Sequence, residues 1–166
     1  MKTLLIMRHA KSSWEDEDLD DIERPLNDRG RKDAPLMGEV LQRFKTAPGV
    51  AVCSPAVRTR QTLDGMLDNW EETPLVRWED GFYYGGVEDY VQAVANLPDN
   101  MDIGLLLGHN PLVESVMRKL CGADVKMKTA SVAAIEWEIN RWSTVVEGNG
   151  VLQWLIAPKL VKKACS

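Results

Sequence analysis

Apolar positions along this chain follow two alternating arrangements. Short unbroken runs are separated by longer stretches in which apolar residues recur every three or four positions. Leu4-Leu5-Ile6-Met7, Val50-Ala51-Val52-Cys53 and Ile103-Gly104-Leu105-Leu106-Leu107 are runs of the first kind and predict strands buried on both faces. Leu75 to Trp78 predicts a further short strand, closed by Glu79-Asp80-Gly81. Met37, Val40, Leu41 and Phe44 follow helical spacing and predict a helix over 33–45 with Pro35 in its first turn; a start near Asp28 with a kink fits the same stripe. Ser54 as N-cap and Pro55 as first helical residue predict a helix running to about Trp70. Val87, Tyr90, Val91 and Val94 predict another that ends before Pro98, and Asn110-Pro111 repeats the capping device for a helix to about Leu120. From Ser131 the period shifts towards two. Segments 132–139 and 151–156 then read as strands of an antiparallel hairpin, joined through a loop that includes Gly148-Asn149-Gly150.

Strands alternating with helices imply a three-layer α/β/α sandwich, with a mostly parallel central sheet and an antiparallel hairpin near the C-terminus. Its 166 residues make one domain over 1–158, followed by a short basic tail, 159–166, read as a solvated end. There is no internal repeat, low-complexity tract or domain linker.

Charge changes this picture in two places. The formal net charge of −5 offers no broad basic surface, which argues against nucleic acid as a partner. Segment 11–23 carries seven acids: Glu15, Asp16, Glu17, Asp18, Asp20, Asp21 and Glu23. This run reads either as a solvated acidic loop or as a border of the site mouth that biases which substrates approach. A transmembrane helix needs ~20 apolar residues, and no stretch comes close, so no membrane role is expected. The first apolar run is cut by Arg8, too short for a signal peptide. Cys53, Cys121 and Cys165 form no CxxC pair and favour reduced thiols, hence a cytoplasmic address.

The chemistry lies at the ends of the strands. The first run leads into Arg8-His9, the second into Ser54 and Arg58, the third into Glu79 and Asp80, and the fourth into His109. In a parallel sheet these ends share the edge where ligands bind. The chain has two histidines, and both are there. Arg8 and Arg58 can clamp phosphoryl oxygens through paired hydrogen bonds, and nearby cations keep an imidazole neutral and nucleophilic. A carboxyl group can protonate the leaving atom.

Arg8-His9-Ala10, the stretch Ser54-Pro55-Ala56-Val57-Arg58-Thr59-Arg60-Gln61-Thr62, and Gly108-His109-Asn110-Pro111 resemble, in that order, the motifs of the histidine phosphatase (phosphoglycerate mutase-like) superfamily. Arg8 to Trp14, followed by Arg24-Pro25-Leu26 and Gly30, is more particularly similar to its SixA-like phosphohistidine phosphatase branch. The resemblance implies a metal-independent phosphatase with no cofactor. In it His9 is the nucleophile that becomes transiently phosphorylated, Arg8, Arg58 and His109 form the phosphate pocket, and Glu79 is the general acid, with Asp80 or no residue at all as the other readings. Ala10 stands where the superfamily usually has glycine, and Thr59 where alanine is usual. The short chain leaves little for a capping insertion, so the site should be open to a phosphorylated protein, phosphohistidine above all, as well as to small phosphate compounds. A general phosphomonoesterase and a non-catalytic phosphoprotein-binding domain are the alternatives.

Other chemistries fit less well. A cysteine phosphatase needs five residues between cysteine and arginine, whereas four separate Cys53 from Arg58 and six separate it from Arg60. Two histidines and no HExxH supply too few ligands for a metal hydrolase. A Rossmann-type nucleotide module would place a glycine-rich turn where Arg8-His9-Ala10-Lys11 stands.

Overall fold

The structure, a computed structural model, describes residues 1–164; Cys165 and the end of the basic tail lie outside the described residues. Six strands form one sheet in the order β3-β2-β4-β1-β5-β6, where β1 is Lys2–Arg8, β2 Val50–Cys53, β3 Leu75–Trp78, β4 Ile103–Gly108, β5 Val132–Trp137 and β6 Val151–Ile156. The first four are mutually parallel, and β5 and β6 are antiparallel to their neighbours. This is the expected mostly parallel sheet with its antiparallel pair.

Helices cover both faces because the apolar runs alternate sides. Leu4, Ile6, Val50, Val52 and Leu106 face one core, completed by α4 (Val87–Ala95) and α5 (Leu112–Cys121). Leu5, Met7, Ala51, Cys53, Leu105 and Leu107 face the other, against α1 (Asp28–Arg43) and α2 (Val57–Leu67). All four residues from Leu4 to Met7 are fully buried. At ~1.5–3 kcal/mol for each large apolar side chain removed from water, β1 is a principal anchor of the sheet.

Several boundaries differ from the sequence reading. Helix α1 begins at Asp28, because the Asn27 side chain accepts the Gly30 amide at 2.9 Å and caps it; Pro35 therefore lies inside the helix. Helix α2 begins at Val57 rather than on a Ser54 cap, and Leu112 rather than Pro111 opens α5. A one-turn helix α3, Gly81–Tyr84, and 3-10 turns at Asp21–Glu23 and Trp142–Thr144 carry no periodic signal and were not expected. Residues Pro158–Ala164 form α6, in which Lys162 pairs with the buried Asp33 of α1, so this part of the tail is not simply a solvated end.

The register sets up the site. Arg8 is paired with Gly108, and Cys53 with Leu107, so β1, β2 and β4 finish level with one another. Antiparallel β5 begins at the same edge, with Val132 opposite Met7. The segment after β1 is then folded back: Ser13 N donates to Pro25 O at 2.8 Å and Asn27 N to Lys11 O at 2.9 Å. Gly30 is required beneath this crossing, because a β-carbon there would run into the Lys11 carbonyl oxygen. Thr62 accepts the Ala10 amide at 3.0 Å and ties the same segment to α2.

Candidate active site

A cavity of about 310 Å³ opens at this edge, lined by Arg8, His9, Lys11, Ser12, Trp14, Asp21, Arg24, Arg58, His109, Asn110 and Thr129. Four residues singled out in the sequence, Arg8, His9, Arg58 and His109, therefore converge. The two imidazole rings lie 5.1 Å apart, centroid to centroid.

His9 Nδ1 is 2.7 Å from the Ala10 carbonyl oxygen. A carbonyl can only accept, so Nδ1 carries the proton and the lone pair is left on Nε2. Burial, opposed by that carbonyl and assisted by His109, Arg58 and Arg8, pushes the His9 pKa down to about 3. Burial and then Arg58 lower that of His109 to about 4. Both rings are thus neutral at physiological pH. His109 Nε2 lies 2.7 Å from Ser54 Oγ, which also accepts the Ala56 amide at 3.3 Å ahead of α2.

These shifts predict a pH effect on stability. Unfolded histidine titrates near pKa ~6.5. Below that value the unfolded chain binds protons that the native rings refuse, so stability should fall as pH drops through ~6 and continue to fall until the native rings titrate near 4 and 3. At pH 7 and above both states are neutral and the penalty is absent. Urea unfolding at pH 7.5 and pH 4.5 should show a His9→Asn variant losing less stability than wild type, with a difference of order 1–3 kcal/mol. Equal losses would mean that the ring is not buried in its neutral form.

Two arginines frame the sequence-predicted pair, and one of them sequence reasoning did not place in the site. Arg58 Nη1 donates to the Asp21 carbonyl at 2.6 Å and Nη2 to Asp21 Oδ2 at 3.0 Å. Arg24 is buried, donates from Nη2 to Ser12 Oγ at 2.6 Å and lies 3.3 Å over the Trp14 ring. The Arg24-Pro25-Leu26 motif was visible, but only the crossing of its segment with 11–13 brings the guanidinium to His9. Arg8 Nε, Arg24 Nη1 and Arg58 Nε are all buried without a hydrogen-bond partner. Orphaned guanidinium donors around a neutral imidazole make a site that an oxyanion would complete.

Glu79, the general acid the resemblance implied, does not line this cavity. Its Oε1 accepts the Gly81 amide at 3.2 Å, and the side chain lines a different cavity with Arg77, Asp89 and Asn96. The cause is β3, an exposed edge strand whose end is turned away by α3. Asp80 is exposed and does not line the site either. The carboxylate that does is Asp21, one of the seven loop acids; partial burial acts to raise its pKa, but the Tyr83 hydroxyl and Arg58 hold it below the usual range. Tyr83 Oη donates to Asp21 Oδ2 at 2.7 Å, and its ring stands edge-on to His109. The other acids of 15–23 are exposed.

Among the described residues, no group of three or more His, Cys, Asp or Glu side chains could hold a metal ion, and no helix is long and apolar enough to cross a membrane. Burial pushes the Cys53 thiol up, the opposite of what a nucleophilic thiolate requires.

The model for branch 1 of the histidine phosphatase superfamily matches residues 4–81, and with the relatives below it shows that the chain belongs to that superfamily. The chain is a phosphatase of the histidine phosphatase type, acting on phosphorylated substrates. An uncharacterised chloroplast protein of Arabidopsis thaliana is 31% identical over 171 residues, covering 95% of this chain and 78% of its own length. The phosphohistidine phosphatase SixA of Escherichia coli is 27% identical over 170 residues, with 97% of each chain covered. Among solved structures, a protein of Nakamurella multipartitia assigned to SixA superposes with a TM-score of 0.83 at 28% identity, covering 95% of this chain and 96% of its own. The protein histidine phosphatase SixA in complex with tungstate gives 0.80 at 25% identity, covering 96% and 99%.

Proposed function

We propose that this protein removes the phosphoryl group from phosphohistidine on another protein, through a covalent intermediate on His9. The reading is carried by His9 Nε2, left free by the Nδ1 hydrogen bond to Ala10 and surrounded by guanidinium donors without partners. In the first step the Nε2 lone pair forms an N–P bond while the P–N bond to the substrate imidazole breaks. In the second, water attacks phosphorus, the bond to His9 breaks, and inorganic phosphate leaves. Arg8, Arg58 and His109 hold the phosphoryl oxygens, and Arg24 joins them.

Substrate class follows from what stands beside His9. An alkyl ester leaves as an alkoxide unless an acid protonates it, and Asp21 is held in its ionised form by Arg58 and Tyr83. Phosphohistidine avoids this demand: protonated on its second ring nitrogen, the imidazole departs as a neutral ring. The same chemistry needs no metal, because arginines supply the positive charge. A cytoplasmic role in histidine-based signalling fits this substrate.

The test compares kcat/KM for a histidine-phosphorylated protein with that for an alkyl phosphate. The phosphohistidine protein should be preferred by ~10²-fold or more, the range an acid catalyst contributes to a reaction that depends on it. Glu79→Gln should leave both values within about twofold, since surface changes remote from a site are near neutral. Preference for the ester, collapsing in Glu79→Gln, would make this a general phosphomonoesterase. Phosphate binding without turnover would make it a phosphoprotein-binding domain.

A further inference from the structure

Many cations of this protein have a carboxylate close at hand. Arg43 pairs with Glu39, Arg118 with Asp124, Arg31 with Asp28, and Lys119 with both Glu88 and Glu147. One cleft breaks the pattern. About 510 Å³ in volume, it gathers Arg29, Lys128, Lys159 and Lys162 around Asp33, the one acid among the described residues that line it. Asp33 is 4% exposed and is engaged by Lys162 and, at 3.9 Å, by Arg29. One carboxylate cannot balance these four cations, so among the described residues the cleft is a local excess of positive charge on a chain of net charge −5.

Its position matters as much as its charge. Thr129 lines both this cleft and the cavity that holds His9. Arg29 Nη2 donates to Thr129 Oγ1 at 3.3 Å, and the next amide, Ala130 N, donates to the carbonyls of Arg8 and His9 at 3.1 and 3.0 Å. The turn bearing Lys128 is therefore tied directly to the catalytic dipeptide. The acidic loop borders the same cavity through Asp21. The mouth of the site thus has a basic border and an acidic one.

We infer that the cleft lined by Arg29, Lys128, Lys159 and Lys162 docks an acidic surface of the phosphorylated protein substrate while its phosphohistidine enters beside His9. This rests on the protein-phosphohistidine reading and adds to it the charge of the partner. Three of the four cations are lysines, whose hydrated ammonium groups on flexible stems suit carboxylates scattered over a folded surface. A defined small anion would call for planar forks instead. Complementary charge speeds encounter and orients the partner, and borders of opposite sign disfavour the reversed approach.

Two phosphohistidine peptides of equal length provide the test, one flanked by Asp and Glu and the other by Ser and Gln. At low salt, kcat/KM for the acid-flanked peptide should exceed that for the neutral one on the order of tenfold. Lys128→Glu combined with Lys159→Glu should erase that advantage, as should high salt, while turnover of phosphoramidate is unchanged. Equal rates for the two peptides in wild type, an advantage that survives charge reversal, or an equal fall with phosphoramidate would each overturn the docking site. Fluorescence anisotropy with the unphosphorylated acid-flanked peptide gives a readout that needs no turnover. Binding lost on charge reversal supports docking even if phosphohistidine is not hydrolysed, an outcome that would sink only the substrate reading. A cleft that binds tripolyphosphate but not the acidic peptide serves a small polyanion, which also overturns the proposal.

Discussion

Replacing His9 with alanine should reduce turnover on the order of 10⁴-fold or more, because the variant has no atom to accept the phosphoryl group. The fold should survive. His9 stands at the end of β1 rather than within it, and its ring faces the cavity and His109 instead of either apolar core. Loss of the ring also removes a buried imidazole that resists protonation, so the variant should unfold no more readily than wild type at acid pH. Rapid quenching with labelled substrate should trap acid-labile label on wild type and none on the variant. More than about 1% residual activity, against losses of 10⁴ or more for a true nucleophile, would show that phosphoryl transfer does not pass through His9. Label on the variant would place the nucleophile elsewhere.

Arg58→Lys should lower kcat/KM by ~10²-fold or more, the scale of losing a preorganised donor to developing charge. Arg58 already gives one N–H from each terminal nitrogen to Asp21, at 2.6 and 3.0 Å, and its Nε is buried without a partner. A lysine ammonium is a compact point charge that cannot hold the Asp21 segment and present a further in-plane donor to phosphate. Asp21→Ala separates the two tasks. If Arg58 acts on the phosphoryl group, Asp21→Ala should cost far less than Arg58→Lys, since the guanidinium remains. Were the two variants equally damaged, Arg58 would serve only to anchor the loop. Near-normal kinetics in Arg58→Lys would remove it from the pocket altogether.

Elements governed by local periodicity were readable from the chain. The runs at Leu4, Val50 and Ile103 became β1, β2 and β4 because only a strand in the middle of a parallel sheet buries both faces. Since Arg8, Arg58 and His109 lie at or just beyond those strands, their convergence with His9 followed from topology, and no side-chain contact had to be known in advance. Helix starts were less legible. Ser54 and Asn110 have the composition of caps, yet Ser54 Oγ bonds to His109, and Asn110 Nδ2 donates to Glu114 at 3.0 Å and to Met127 O at 2.9 Å. Side chains that can cap a helix can equally satisfy a site, and the sequence does not rank the two uses.

By itself, then, the sequence determined the layers and the residues that must share one edge, because hydrophobic period and chain direction are local properties. The tertiary structure alone decided which carboxylate and which further arginine join them. Glu79 follows a strand end, but β3 is an edge strand and α3 turns its carboxylate towards the Gly81 amide. Asp21 and Arg24 sit in a stretch with no apolar period, and they reach His9 only because 11–13 and 24–27 cross over Gly30. The basic cleft is likewise assembled from α1, the turn before β5 and α6, with Asp33 and Lys162 lying 129 residues apart along the chain. Contacts of that range depend on packing between layers, which no window of sequence encodes.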